Sequence, residues 1–113
     1  MTDKRIVLCT TGSEDEARKI AQYLVEQRLA ACVNIVPQIG SIYRWQGKME
    51  SSREWLLLIK TTAERFTNVR DAIRKLHSYD LPECIAVGID EGSREYLDWI
   101  GEAVDPEQKG NEK

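Results

Sequence analysis

The octapeptide Leu76-His77-Ser78-Tyr79-Asp80-Leu81-Pro82-Glu83 holds the only histidine of the 113-residue chain, together with two carboxylates and a phenol. An imidazole can bind copper or zinc or act as a general base, and a thiol or carboxylate beside it would extend either chemistry. The thiols on offer are Cys9, Cys32 and Cys84. None of these residues stands at the CxxC or HxxxH spacing of a contiguous metal motif. Any site must therefore be assembled by the fold.

Residues 6–10, Ile-Val-Leu-Cys-Thr, form an apolar run suited to a buried strand. Ser13 with Glu16 three residues on has capping-box spacing, and Ala17, Ile20, Ala21, Leu24 and Val25 recur at helical spacing, so residues 14–28 read as a helix. Residues 31–45 are strand-like but interrupted by Pro37 and Gly40, which points to a bulge or a sheet edge. Trp45-Gln46-Gly47-Lys48 is a hairpin turn, with Gly47 taking the positive φ that tight turns need. The run Trp55-Leu56-Leu57-Leu58-Ile59 is expected to be buried on both faces. Thr61 to Glu64 repeats the capping-box spacing before a second helix marked by Phe66, Val69, Ile73 and Leu76. Residues 85–89 form a further strand, and Ser93 opens a short helix carrying Tyr96, Leu97 and Ile100. Residues 1–104 form one domain, and residues 105–113 a polar tail.

The order β-α-β-β-α-β with a terminal helix is that of a ferredoxin-like α+β sandwich. Its central hairpin is unusually long, with arms of about a dozen residues against the usual ~5–6. Ile35, Val36, Ile39, Ile42, Tyr43, Trp45, Met49 and Trp55 lie along those arms, where water would meet them in a lone chain. A homo-oligomer pairing its hairpins across chains is expected.

In that topology the fourth strand lies antiparallel beside the first, so the segment entering strand four sits near the exit of strand one. Cys9, His77 and Glu83 then come within reach of one another. Thiolate, imidazole and carboxylate with an open fourth position would suit copper or zinc. Cys84 is a substitute ligand of lower priority, and Cys32 reads as core. The same residues also have a purely structural account: a histidine at a helix C-terminus, proline-directed turn chemistry, and a small thiol buried in a strand.

Other chemistries fit less well. A Cys9–His77 nucleophile pair has no third group or oxyanion donor, which argues against an enzyme. Gly12 is followed by acidic residues that would repel phosphate. An RNA-recognition module shares the element order but needs stacking aromatics on its third strand, and residues 53–62, REWLLLIKTT, read as core. The net charge of −3 and pI near 5.2 also argue against nucleic acid as a partner. No stretch has the length of a membrane span, no leader-like apolar segment precedes the first strand, and the odd cysteine count makes no disulfide framework. A cytoplasmic location follows as the expectation. Glu14-Asp15-Glu16 reads as a solvated helix face.

AACVNIVPQIGSIYRWQGKME, LLLIKTT, LHSYDLPECIAV and SREYLDWI, in that order, resemble the CutA family of divalent-cation tolerance proteins. The resemblance runs from Ile6 to Ile100. It implies a homotrimer of ferredoxin-like subunits, similar in architecture to the PII-type signalling proteins, and an association with copper and other divalent metals. The family's proposed ligand positions fall on Cys9, His77 and Glu83. Ser78 stands where proline commonly follows the histidine, so a looser joint at His77 is expected, and Arg44 stands where an aromatic often precedes Trp45, which changes the character expected of an inter-subunit cleft. Two functions follow: a non-enzymatic trimer binding copper, or another divalent metal such as zinc; or a PII-like regulatory trimer taking a metabolite or partner protein in inter-subunit clefts, with Lys60, Arg44 and Tyr79 as contacts.

Overall fold

The computed structural model describes residues 1–107. The chain runs β1 (Lys4–Thr11), α1 (Glu14–Glu26), β2 (Cys32–Trp45), β3 (Lys48–Thr62), α2 (Phe66–Leu76), β4 (Ile85–Gly88) and α3 (Arg94–Ala103). One antiparallel sheet in the order β2-β3-β1-β4 carries the helices, the ferredoxin-like sandwich expected. Of the expected polar tail, Asp105 accepts a hydrogen bond from the Glu107 amide at 2.9 Å, and residues 108–113 lie outside the described residues. Among the described residues no helix is long and apolar enough to cross a membrane.

The core forms on one face of the sheet. Val7 and Cys9 of β1 and Leu57 and Ile59 of β3 alternate inward to meet Ala17, Ile20 and Leu24 of α1 and Val69 and Ile73 of α2. The residues between them, Leu56 and Leu58, face the other way and are only partly covered. The expectation of burial on both faces therefore fails within one chain: α1 and α2 cover one face, whereas α3 covers only part of the other, where Tyr96 meets Lys60.

Local sequence explains most boundaries. Ser13 accepts the Glu16 amide at 3.2 Å and starts α1, which ends at Glu26, two residues before the expected end, as Arg28 takes a φ of 60°. The second capping box does not form: Thr61 stays within β3, its hydroxyl donating to the Leu29 carbonyl at 2.7 Å, and a 3-10 turn at Ala63–Arg65 leads into α2. Pro37 and Gln38, the latter at φ 56°, interrupt the β2–β3 register as the proline implied. At the tip, Gln46 and Gly47 have φ of 51° and 80°, the pair of positive values of a type I′ turn. Beyond α3, Arg28 and Arg65 donate to the carbonyls of Ala103 and Val104 at 2.8 and 3.0 Å, tying the helix C-terminus to the body.

The hairpin gives the chain its shape. Its arms span 14 and 15 residues, the molecule measures 48 × 27 × 22 Å, and the radius of gyration is 14.8 Å where about 13 Å would describe a compact chain of this length. Ile42 and Met49 near the tip are 76% and 78% exposed. Truncating the core at Leu57→Ala should cost about 2–5 kcal/mol in denaturant unfolding, because the side chain is fully enclosed between sheet and helices. A loss under about 0.5 kcal/mol, typical of a surface position, would contradict that packing.

Candidate functional site

The joint after α2 is where sequence and structure meet most closely. The α2 helix stops at Leu76 because His77 turns extended, with ψ 144°, while its amide still closes the helix on the Ile73 carbonyl at 2.9 Å. The imidazole, its side chain fully buried, then points across to the end of β1. One ring nitrogen, Nε2, lies 2.7 Å from the Thr10 carbonyl, and the other, Nδ1, lies 3.0 Å from the Tyr79 amide. A carbonyl can only accept and a backbone amide can only donate, so Nε2 carries the proton and Nδ1 the lone pair. Both nitrogens are spent on the backbone.

Ser78 is not loose. Its amide donates to Glu16 Oε2 at 2.6 Å and its hydroxyl to Glu16 Oε1 at 3.1 Å. Glu16, read from sequence as part of a solvated helix face, instead turns inward from the first turn of α1 with a side chain only 16% exposed. Tyr79 follows, its ring tilted 47° against His77 at 4.6 Å between centroids, and donates its phenol to Glu54 Oε2 at 2.8 Å. Burial first, then that hydrogen bond to a carboxylate, raises the Tyr79 phenol well above its ordinary range. Gly12 lies under the ring: a Cβ there would sit 3.1 Å from the phenol oxygen.

Beyond this joint opens a cleft of about 740 Å³. Thr10 of β1, Tyr43 and Trp45 of β2, Glu54 of β3, and Tyr79, Asp80, Leu81 and Glu83 of the connecting segment line it, and among the described residues no lysine, arginine or histidine is in its walls. Glu54 is buried, and the phenol of Tyr79 is the hydrogen-bond partner its carboxylate has. Burial, then the charge of Glu54, pushes the Glu83 carboxyl above the usual range. Three carboxylates facing one concave surface without a cation make it a place where positive charge is favoured.

Cys9, His77 and Glu83 are near in the fold, as the topology required, yet they do not form a ligand set. Cys9 lies in the core between sheet and helices, whereas its neighbour Thr10 faces the cleft that Glu83 lines. Burial, then the neighbouring Cys84 and Glu83, pushes the Cys9 thiol up to about 12. Among the described residues, no group of three or more His, Cys, Asp or Glu side chains is arranged to hold a metal ion. A copper or zinc ion bound by these three would require His77 to give up a backbone bond and Cys9 to ionise inside the core, so they do not fit a resident metal as they stand. Cys84 lines a separate groove with Arg70 and Arg74, and Cys32 is half-buried at the start of β2.

The residues proposed for metabolite contacts also lie apart in one chain. Tyr79 stands in the cleft, Arg44 pairs with Met49 near the hairpin tip, and Lys60 pairs with Cys32 at the far end of the hairpin. The strand from Met49 to Lys60 separates the last two by roughly 35 Å at ~3.3 Å per residue. Lys60 bonds the Tyr96 hydroxyl at 3.3 Å and lies 5.5 Å from the centre of its ring.

Fold and site together define a ferredoxin-like sandwich with an extended hairpin and an acidic cleft at the β1 exit. The chain belongs to the family described as CutA1 divalent ion tolerance protein, whose model matches residues 5–103. It is 54% identical over 99 residues to the divalent-cation tolerance protein CutA of Thermus thermophilus, covering 88% of this chain and 96% of that one. The corresponding protein of Archaeoglobus fulgidus is 44% identical over 99 residues, with the same coverage of each. Among solved structures, CutA from Xylella fastidiosa superposes with a TM-score of 0.90 at 42% identity, covering 92% of this chain and 100% of that one. The Thermus structure superposes at 0.87 and 53% identity, covering 88% and 97%.

The buried, high-pKa thiol makes a direct prediction. In the native protein at pH 8, an alkylating reagent should modify Cys9 only as fast as the chain unfolds, because little thiolate exists and the sulfur is enclosed. Peptide mapping that found Cys9 labelled as readily as in denatured chain would show an accessible, reactive thiol instead.

Proposed function

We propose that this chain acts in divalent-cation tolerance as a non-enzymatic homotrimer whose cleft carboxylates, Glu83 foremost, attract the cation by their charge, without the preformed ligand set that one chain lacks among its described residues. The carrying observation is that Glu54, Asp80 and Glu83 line one cleft whose walls hold no cationic side chain among the described residues. Copper is the first candidate, because it tops the affinity order for nearly any oxygen or nitrogen donor set, and zinc is the second. In this reading Cys9 and His77 are structural: one fills the core and the other ties backbone to backbone. Family membership supplies the link to divalent cations.

The trimer is supported by the apolar surface that one chain leaves in water. Ile42, Met49, Tyr43 and Trp45 along the hairpin and Ile85 and Val87 of the edge strand β4 are all exposed, and a second copy offers the simplest cover. The cytoplasmic placement is also part of the proposal, supported by three thiols that are all unpaired. The solved Archaeoglobus relative is described as periplasmic, so fractionation of the native protein decides the point.

A copper titration against a competing chelator, on wild type, Glu83→Gln and Cys9→Ala, tests the site. Glu83→Gln should weaken binding about tenfold, the scale of one charged interaction, and Cys9→Ala should leave it unchanged. Affinity should also fall as pH is lowered through the raised Glu83 titration, since a proton then occupies the carboxylate the cation needs. The sign for stability is opposite. A carboxyl whose folded pKa lies above its unfolded value stabilises at low pH and loses that contribution as pH rises through the folded pKa. Loss of binding in Cys9→Ala but not in Glu83→Gln would restore the thiolate site, and a sedimentation mass of one chain would overturn the trimer.

A further inference from the structure

The cleft wall formed by residues 79–83 is entered through two fastenings, His77 on the Tyr79 amide at 3.0 Å and Glu16 on Ser78. Upstream of it, α2 ends at Leu76 and His77 is fixed to β1. Downstream, Tyr79, Asp80, Leu81 and Glu83 all face the cleft. Between them stands Ser78, and its amide and hydroxyl protons both go to the two oxygens of one carboxylate, Glu16, at 2.6 and 3.1 Å. A carboxylate accepting two bonds is stronger than two neutral pairs would be. The same residue's amide is the one that Ser13 caps at 3.2 Å, so the side chain is launched from the best-anchored turn of α1. Its charge also lies at the helix end where a carboxylate is favoured.

We infer that Glu16 is a positioning residue of the cleft. By holding Ser78 at both polar groups it sets where Tyr79 emerges, and Tyr79 in turn holds Glu54 through the 2.8 Å phenol bond. The relay runs from the first turn of α1 to a buried cleft carboxylate: Glu16 to Ser78, Ser78 to Tyr79 along the backbone, Tyr79 to Glu54. Each link is short and each donor has one acceptor. The Tyr79 ring has little freedom to compensate, since His77 packs against it and Gly12 lies under it. Releasing Ser78 would leave the Tyr79 amide bond to His77 as the remaining hold on the wall and loosen the aim of the phenol on Glu54. This inference rests on the cation reading of the cleft.

The test is a double-mutant cycle read by zinc affinity on the full chain, using Glu16→Ala, Tyr79→Phe and the two together. Glu16→Ala should weaken zinc binding about tenfold, the loss expected of a charged hydrogen-bonded group. In the Tyr79→Phe background the same change should cost nothing further, because the path to Glu54 is already cut. Independent, additive losses would overturn the relay, and so would an unchanged affinity in Glu16→Ala. Should Glu16→Ala fail to fold, Ser78→Ala, which removes one of the two bonds, should show a smaller loss that Tyr79→Phe likewise abolishes. Amide exchange separates the two layers of the argument. In wild type the Ser78 amide should be protected, and Glu16→Ala should release it while Tyr79→Phe does not. A wild-type chain that takes up no zinc yet shows this pattern would sink the cation reading and keep the clamp. A Ser78 amide exchanging freely in wild type would sink the clamp itself.

Discussion

The structure around the cleft depends on one imidazole that is hydrogen-bonded on both sides to backbone. His77 lies across the gap between α2 and β1, donating to the Thr10 carbonyl and accepting the Tyr79 amide. Two backbone groups are satisfied by a single side chain, and a buried one left unmade would cost about 1–3 kcal/mol. The ring also fixes direction. It sends the chain past the end of β1 so that the next residues fall on the cleft side of the sheet, where Thr10 already faces. Glu16 grips the same turn from α1 through Ser78.

The parity of β1 decides which chemistry this arrangement can hold. Cys9 and Thr10 are neighbours, yet strand alternation sends one into the apolar core and the other to the acidic cleft. The only buried thiol is thereby separated from the carboxylates, and its sulfur is kept protonated by the same burial that stabilises the core. What the cleft offers is oxygen: three carboxylates, a phenol already committed to one of them, and the hairpin's aromatic rings as a wall. The extension of the hairpin has a related consequence. It makes a long sheet with too few helices to cover it, and the uncovered apolar face asks for another subunit.

Much of this was legible from residues alone. The element order, the I′ turn at Gln46-Gly47, the bulge at Pro37 and the overlong hairpin follow from turn chemistry and hydrophobic spacing, which act locally. The approach of His77 to the β1 exit follows from topology. What topology cannot supply is which way a side chain faces and which atoms it has already spent. The spacing Ser13-x-x-Glu16 is that of a capping box, and half of it forms, but the Glu16 side chain serves a partner 62 residues away. Thr61-x-x-Glu64 has the same spacing and fails because Thr61 stays within β3, its hydroxyl turned to the Leu29 carbonyl. Ser78 was expected to loosen the joint, and its extra amide proton, which a proline would lack, is what Glu16 holds. The signal that could have revealed Glu16 is its place in the first helical turn directly after the β1 exit, on the side where the topology brings the joint.

The most direct test of the account is the nitrogen spectrum of the one histidine, which a chain with a single imidazole gives without assignment ambiguity. Long-range proton–nitrogen correlations should show the Nε2 proton and Nδ1 as acceptor, and the pattern should not change when stoichiometric zinc is added. A ring protonated at Nδ1, or nitrogen shifts that move with zinc, would contradict the structural role given to His77 and return it to the metal.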